Sequence, residues 1–353
     1  MTQLHNSEQK TRSKPIWVMW PTVVCVTLLL LSGLYLVGLY AAKTARNTLF
    51  YLRSLDSDTV ILAKAKQYPV RDLTKDTKSM AYLQATPIFI SMSTSPARID
   101  KIARVLSTID LQYVNEVIIN IAPIFPRTGE SYVIPTTLSK HEKVYINHIK
   151  QDYGPATKLL PGIEYAQTIH PNALVITLDD DHAYPQGIVN EHIFAMAHGA
   201  SVSNVQDDRI GDLGKGYFKL PEKNPNLLSK WPDHHYNLIQ GWSSVGYIAS
   251  SVPVTRIKQW LALEKSKTGG DACLFSDDFI ISYAIALENS DLFKIANRYV
   301  SVDNILPLSY GLAPGALHRE STKVGVNWDV NQMNIFTKER IRSCFEFLLE
   351  HAE

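Results

Sequence analysis

The chain is poor in cysteine, with three in 353 residues. Cys25 lies inside an apolar run, which leaves Cys273 and Cys344, too few for a disulfide scaffold and in no metal-type spacing. No Asn-x-Ser/Thr acceptor site occurs anywhere, so nothing marks a glycosylated lumenal or extracellular surface. Together these two absences point to a reducing or bacterial setting. An excess of charge of one sign is also missing, since 35 Lys and Arg face 34 Asp and Glu. That balance excludes a general nucleic-acid binder, which needs a basic patch to neutralise phosphates. Internal repeats and low-complexity segments are absent too. With 45% hydrophobic and 20% charged residues, the composition is that of a folded protein and excludes disordered, collagen-like and coiled-coil chains.

One long hydrophobic run is present. Ile16 to Ala42 carries no Asp, Glu, Lys, Arg or His, and as a helix it would reach about 40 Å, enough to cross a bilayer with some tilt. It is longer than the apolar core of a cleaved signal peptide. Trp17, Trp20, Tyr35 and Tyr40 stand near its ends, where interfacial aromatics belong. The sequence therefore predicts a single-pass N-terminal membrane anchor. Lys10, Arg12 and Lys14 before it nearly cancel Lys43, Arg46 and Arg53 after it, which leaves the side of the membrane open. The expected organisation is a polar tail (1–15), the anchor (16–42), a stem (43–84) and a catalytic domain (85–353), the last divided near residue 200.

From Thr86 onward strand and helix signals alternate. Pro87–Ser91, Val117–Ile121 and Lys143–Asn147 read as strands, with Ile99, Ile102, Ala103, Leu106 and Ile109 at helical spacing between the first two. Ala156–His170 reads as a helix that starts late or kinks at Pro161. Ala173–Leu178 is the strongest strand, an apolar run of the kind buried on both faces. Helices follow over 185–197, 253–264, 276–288 and 337–351, with a strand near 247–250. This order predicts an α/β fold with a mostly parallel central sheet flanked by helices.

Asp179-Asp180-Asp181 stands directly after the strongest strand. Ligand crevices in open α/β sheets lie beyond the carboxyl ends of strands. Carboxylates two apart in an extended segment point the same way and can hold one hard divalent ion against a diphosphate. The spacing itself is common, for Asp56-Ser-Asp58 repeats it in the stem as surface charge, so the placement carries the argument. Upstream, Gln151 to Lys158 follows the third strand and opens a helix. Gly154 permits close backbone approach there, free amides favour a phosphate or sugar, and Lys158 adds positive charge. A turn with an ordinary cap would account for the same residues.

Three blocks carry a resemblance. Ile88-Phe-Ile-Ser-Met-Ser-Thr-Ser-Pro-Ala-Arg-Ile99, Asp152-Tyr-Gly-Pro-Ala-Thr-Lys-Leu-Leu-Pro161 and Leu178-Asp-Asp-Asp-His-Ala-Tyr-Pro185 resemble the nucleotide-binding half of a GT-A-fold glycosyltransferase, family-2-like with an Asp-x-Asp motif. The likeness covers about 86–200 and is looser to about 320. It implies a hexosyltransferase-type enzyme with a nucleotide-diphosphate-sugar donor, Mn²⁺ or Mg²⁺, and a glycan, lipid or protein acceptor. Ser91 and Arg98 would lie near the nucleoside, and Asp152 and Lys158 would touch base or phosphate. Asp179 would face the ribose and Asp181 would bind the ion, with Asp180 open between these roles. Asp278, or else Asp277, matches the acidic motif that supplies the general base of inverting members, although Ser276 or Asp277 would also serve as a helix cap. Trp242, in Gln240–Gly246, matches an acceptor wall, and a core Trp is the plainer account. His318 stands where a late His ligand for the ion is often found. His182 is a weaker ligand candidate.

Rival readings remain. A nucleotidyltransferase of related fold shares the ion chemistry, but it would want a Gly-rich loop where Ser95–Arg98 has none. A phosphohydrolase with an Asp nucleophile would want Thr or Val where Ala183 stands. A membrane-tethered protein that binds the nucleotide sugar without turnover would keep the fold and lose the chemistry.

Overall fold

Four strands build the parallel part of the sheet in the computed structural model, which describes residues 57–200, 202–204, 239, 241, 244–288, 295–297, 305–308, 340, 342–348 and 350–351. Ile88–Ser93 (β1), Glu116–Ile121 (β2) and Leu174–Leu178 (β4) are apolar runs with β-branched residues that suit a pleated, buried surface, Val144–His148 (β3) is the more exposed edge, and the four pair in parallel. A two-residue strand, His182–Ala183 (β5), follows outside this sheet. Val202–Asn204 (β6), Val245–Ile248 (β7) and Ile295–Asn297 (β8) extend the sheet to the order β3-β2-β1-β4-β7-β6-β8. β7 runs antiparallel to both β4 and β6, and β8 is parallel to β6. Leu306–Pro307 (β9) pairs with β5.

Strand alternation divides the core between the two faces. Ile88, Ile90, Met92, Leu174, Ile176 and Leu178 look to one side, where Ile61, Ile102, Val105, Ile188 and Ile193 cover them. These come from helices Asp58–Lys66 (α1), Ile102–Leu106 (α3) and Ile188–Ala197 (α6), with Thr77–Ala85 (α2) packed on α6. A short helix, Thr136–Ser139 (α4), lies between β2 and β3. On the other side Phe89, Ile118, Val175 and Val245 meet Leu160–Ile169 (α5), Val254–Thr268 (α7), Asp277–Glu288 (α8) and a helical stretch at 342–348. Pro161 sits in the first turn of α5, behind a 3-10 turn over Gly154–Lys158, as its missing N–H requires.

Two expectations are corrected here. Read as a stem, the stretch from Asp58 to Gln84 is instead part of this body. Ile61 and Ala65 are buried in the same core as β1, and Arg71 grips Glu191 of α6 with two hydrogen bonds of 2.9 and 3.0 Å. Gly187 lets this segment in, because a Cβ there would stand 3.0 Å from the Pro69 carbonyl oxygen. The low cysteine count points to a reducing setting, but Cys273 and Cys344, both fully buried, form a disulfide across 71 residues. No spacing signature could announce that pair, since only the packing of α8 against the C-terminal helix brings it together. Among the described residues no helix is long and apolar enough to cross a membrane. The run Ile16–Ala42 lies outside the described residues.

A cross-link over a loop of this length restricts the unfolded chain by roughly 4 kcal/mol in the entropic account. Replacing both cysteines with Ser should therefore lower unfolding stability by about 2–4 kcal/mol. Unfolded without reductant, the chain should show one reactive thiol, Cys25. Three thiols would disprove the pairing.

Candidate functional site

The parallel strands define where a site can form. From β1 the chain steps outward through β2 to β3, then returns to the other side of β1 as β4. The carboxyl ends of β1 and β4 therefore flank the point where the winding reverses, which is where ligands bind in sheets of this kind. Thr94 and Arg98 follow β1, and Asp179, Asp180 and Asp181 follow β4.

The three aspartates have separate environments. Asp180 is buried and turns towards the β1 loop, where its Oδ2 accepts from the Thr94 hydroxyl at 2.6 Å and its Oδ1 lies 3.1 Å from the Arg98 guanidinium. Burial raises its carboxyl above the ordinary value, Arg98 notwithstanding. Asp179 pairs with Lys158, Nζ to Oδ1 at 2.6 Å, and its backbone amide donates to the Tyr184 hydroxyl. Asp181 lies 2.8 Å from Arg98 and 2.7 Å from His182 Nδ1. Burial alone would raise Asp181, but His182 and Arg98 together hold it well below its usual range. Burial likewise opposes charge on His182, and the bond to Asp181 more than compensates, so its pKa rises. The chain leaving Asp181 is pinned by the β5–β9 pair and by Leu308 N–H donating to the Asp181 carbonyl at 2.8 Å.

Asp179, Asp181 and His182 can each offer one ligand atom, all within 4.8 Å of one another. Two carboxylates and an imidazole suit a hard or borderline divalent ion. Arg98 has a further trait. Its Nε–H is buried with no partner, and a buried donor without an acceptor calls for an explanation.

The second half of the chain closes the other wall. Asp277 and Asp278 open α8, where the helix dipole favours negative charge. Asp278 Oδ1 accepts from the Gly241 amide at 2.8 Å. Glycine at 241 leaves room for both side chains, since a Cβ would lie 2.7 Å from that carboxylate oxygen and 3.1 Å from Lys158 Nζ and would displace them. Lys158 thus sits between Asp179 and the α8 carboxyls. Burial would pull its pKa down, yet Asp179, Asp277 and Asp278 hold it above the ordinary value. Burial pushes Asp277 up against the pull of Lys158. Burial and the neighbouring Asp277 push Asp278 up to about 8.

Of the residues singled out from sequence, Arg98, Lys158, Asp179, Asp180, Asp181, Asp277 and Asp278 converge. Asp152 stands nearby and accepts from the Gly154 amide at 2.6 Å, shaping the turn that delivers Lys158. Ser91 does not reach the cleft: it is fully buried beneath α5, where its hydroxyl donates to the Lys158 carbonyl at 2.6 Å. Trp242 and His318 lie outside the described residues. Thr94, Gly241 and the full part of His182 escape sequence reading. Nothing about a lone Thr or Gly signals a tertiary contact, though His182 could have been weighted by its place beside the aspartates.

No family model matches the chain, and no curated protein matches it. Among solved structures it is similar to a 4-diphosphocytidyl-2C-methyl-D-erythritolsynthase from Anaerococcus prevotii DSM 20548, at 11% identity and a TM-score of 0.33, over 72% of this chain and 98% of that one. A likeness that slight carries no function.

Arg98 is the counter-ion of two buried carboxyls. Arg98→Ala should destabilise the fold by about 3–5 kcal/mol, because each partner would stay buried and unpaired. Denaturant unfolding checks this; a loss under about 1 kcal/mol, the range of exposed pairs, would contradict the burial described.

Proposed function

We propose that the chain is a membrane-anchored, divalent-metal-dependent glycosyltransferase that moves a sugar from a nucleotide-diphosphate sugar to an acceptor hydroxyl with inversion. One observation carries the reading. At the reversal point of the sheet, a carboxylate–imidazole trio, two buried cations and a helix-borne carboxyl of raised pKa face one another. Asp179, Asp181 and His182 fit a Mn²⁺ or Mg²⁺ ion by donor type and proximity, and the imidazole favours Mn²⁺. When bound, such an ion would neutralise charge on the departing diphosphate. The unpartnered Arg98 Nε–H suits an oxygen-rich ligand of that class.

In this reading Lys158 and Arg98 orient the diphosphate, and Asp278 takes the acceptor proton. The acceptor oxygen bonds to the anomeric carbon as the carbon–oxygen bond to the diphosphate breaks, and the electron pair leaves with the diphosphate. Asp278 is placed for this by the Gly241 amide, and Asp277 is the second choice. The Ile16–Ala42 run would anchor the chain. The Cys273–Cys344 disulfide supports a catalytic domain on the oxidising, non-cytosolic side of the membrane. Nucleotidyl transfer is the second reading, disfavoured by the absence of glycine in Ser95–Arg98.

The test is a panel of nucleotide sugars and nucleoside triphosphates offered to the full chain with Mn²⁺, Mg²⁺ or chelator, beside Asp181→Ala. Turnover of one nucleotide sugar that needs the ion and is lost in the variant is expected. Pyrophosphate release from a triphosphate would replace this reading with nucleotidyl transfer, and no response to any donor would remove it.

A second expectation concerns pH. A base raised to about 8 is mostly protonated at neutrality and works only when deprotonated. The kcat/KM of the wild type should therefore climb about tenfold per unit below that value and level off above it. Asp278→Asn should lose about 10²–10⁴-fold in kcat. A flat profile from pH 6 to 9 would exclude Asp278 as the base.

A further inference from the structure

His192 plays no part in the cleft chemistry, yet its contacts lead to it. The ring is buried in α6 and bridges two serines: Nδ1 lies 2.5 Å from Ser203 Oγ in β6, and Nε2 lies 2.7 Å from Ser244 Oγ at the entry to β7. Among the described residues no charged group shifts it, and burial pushes the imidazole down to about 3. It is therefore neutral at working pH, with one donor and one acceptor matched to two hydroxyls.

Ser244 is fully buried and holds φ at +81°, a left-handed backbone that residues other than glycine adopt at a cost. Such a conformation persists only where its surroundings over-determine it, and the bond to His192 supplies one such constraint. Three residues earlier stands Gly241, whose amide donates to Asp278 and whose bare Cα fits between Asp278 and Lys158. The other end of this short passage is tied independently, because the Ile239 amide donates to Ser282 Oγ, which itself donates to the Asp278 carbonyl. The Gly241 amide is thus held between a tie to α8 at residue 239 and a tie to α6 at residue 244.

We infer that His192 is a positioning residue for Asp278, acting through Ser244 to hold the Gly241 amide on the carboxylate. Its bearing on turnover rests on the proposed role of Asp278 as base; the mechanical link does not. The groups facing Asp278 are Asp277 on its own helix, Lys158 from the Gly154–Lys158 turn, Asp179 from the end of β4 and Tyr247 from β7. Among the described residues none of these four is hydrogen-bonded to His192, whose bonds go to Ser203 and Ser244.

Four variants of the full chain separate this from a packing role. His192→Phe keeps a ring and removes both bonds. His192→Gln restores a donor near Nε2. Ser244→Gly keeps the left-handed backbone without the hydroxyl, and Ser203→Ala cuts only the opposite bond. Deuterium exchange at the Gly241 amide, which needs no substrate, should quicken about tenfold or more in His192→Phe and Ser244→Gly, and stay near wild type in Ser203→Ala and His192→Gln. With a donor that turns over, the first two should lower kcat at unchanged donor KM and move the rise of kcat/KM to higher pH, since a carboxylate that loses an N–H bond is harder to ionise. Unchanged Gly241 exchange, or equal loosening in Ser203→Ala, overturns the inference. Loosened exchange with unchanged kcat and pH profile overturns it as well. Selective loosening in a chain that turns over no donor upholds the link and removes the proposed function instead.

Discussion

Negative charge is concentrated at the end of β4 beyond what water can screen. Asp179, Asp180 and Asp181 are joined there by Asp277 and Asp278, while Arg98, Lys158 and the imidazole of His182 supply the opposing charge. Burying carboxylates costs several kcal/mol each unless they are paired and hydrogen-bonded. Much of the surrounding structure can be understood as meeting that demand. A 3-10 turn delivers Lys158 from the β3 side, and the segment after β1 delivers Thr94 and Arg98. The β5–β9 pair fixes the path of the chain beyond Asp181. The compensation is incomplete, which is why Asp180, Asp277 and Asp278 all ionise less readily than free carboxyls. A site left short of positive charge in this way is suited to a divalent cation.

Three chemically identical neighbours divide the work because β4 ends at Leu178 and the chain turns at Asp180 and Asp181, which aims the side chains apart. Asp180 faces the β1 loop and is occupied with Thr94 and Arg98, which makes it a strut between the two strand ends. Asp179 and Asp181 face the other way with His182. The ambiguity of register that three consecutive aspartates leave in a sequence is thereby resolved by geometry. Arg98 spans the division, with one terminal nitrogen on Asp180 and the other on Asp181, and so couples the structural carboxyl to the ligand-facing one.

β1, β2 and β4 were legible because each is an apolar run bounded by polar turns, and burial on both faces leaves such a pattern in the residues themselves, whereas β5, β6, β8 and β9, two or three residues each, are too short to leave one. Asp179, Asp181 and Lys158 could be found for a related reason: each follows directly from a strand or turn whose place in an α/β fold is predictable. Ser91 misled because it continues the same strand as Thr94, and one residue of alternation decides whether a hydroxyl lies under a helix or beside the cleft. The segment 58–84 was misread since the apolar residues of α1 are not gathered on one face, and Ile61 and Ala65 reveal their burial only against the finished sheet. Cys273 with Cys344, and His192 with its two serines, are contacts between distant parts of the chain. Local pattern holds no record of such pairs.

The cleft is not the property of the nucleotide-binding half alone. Asp277 and Asp278 ride on α8, and the loop that starts this helix is fastened by the Cys273–Cys344 bond to the stretch 342–348, where Phe345 meets Phe279 edge to face at 5.7 Å. Glu264 of α7 adds a second hold by accepting from the Cys273 amide through both carboxylate oxygens. The carboxyl proposed as base is therefore positioned by covalent and aromatic contacts behind it and by a single backbone amide in front. Of those supports the amide is the least anchored, because Gly241 has no side chain to hold it. A structure that entrusts a carboxyl of raised pKa to such a contact must stiffen the backbone that offers it. The fully satisfied histidine under β6 and β7 meets that need without adding another charge to a cleft already overcharged.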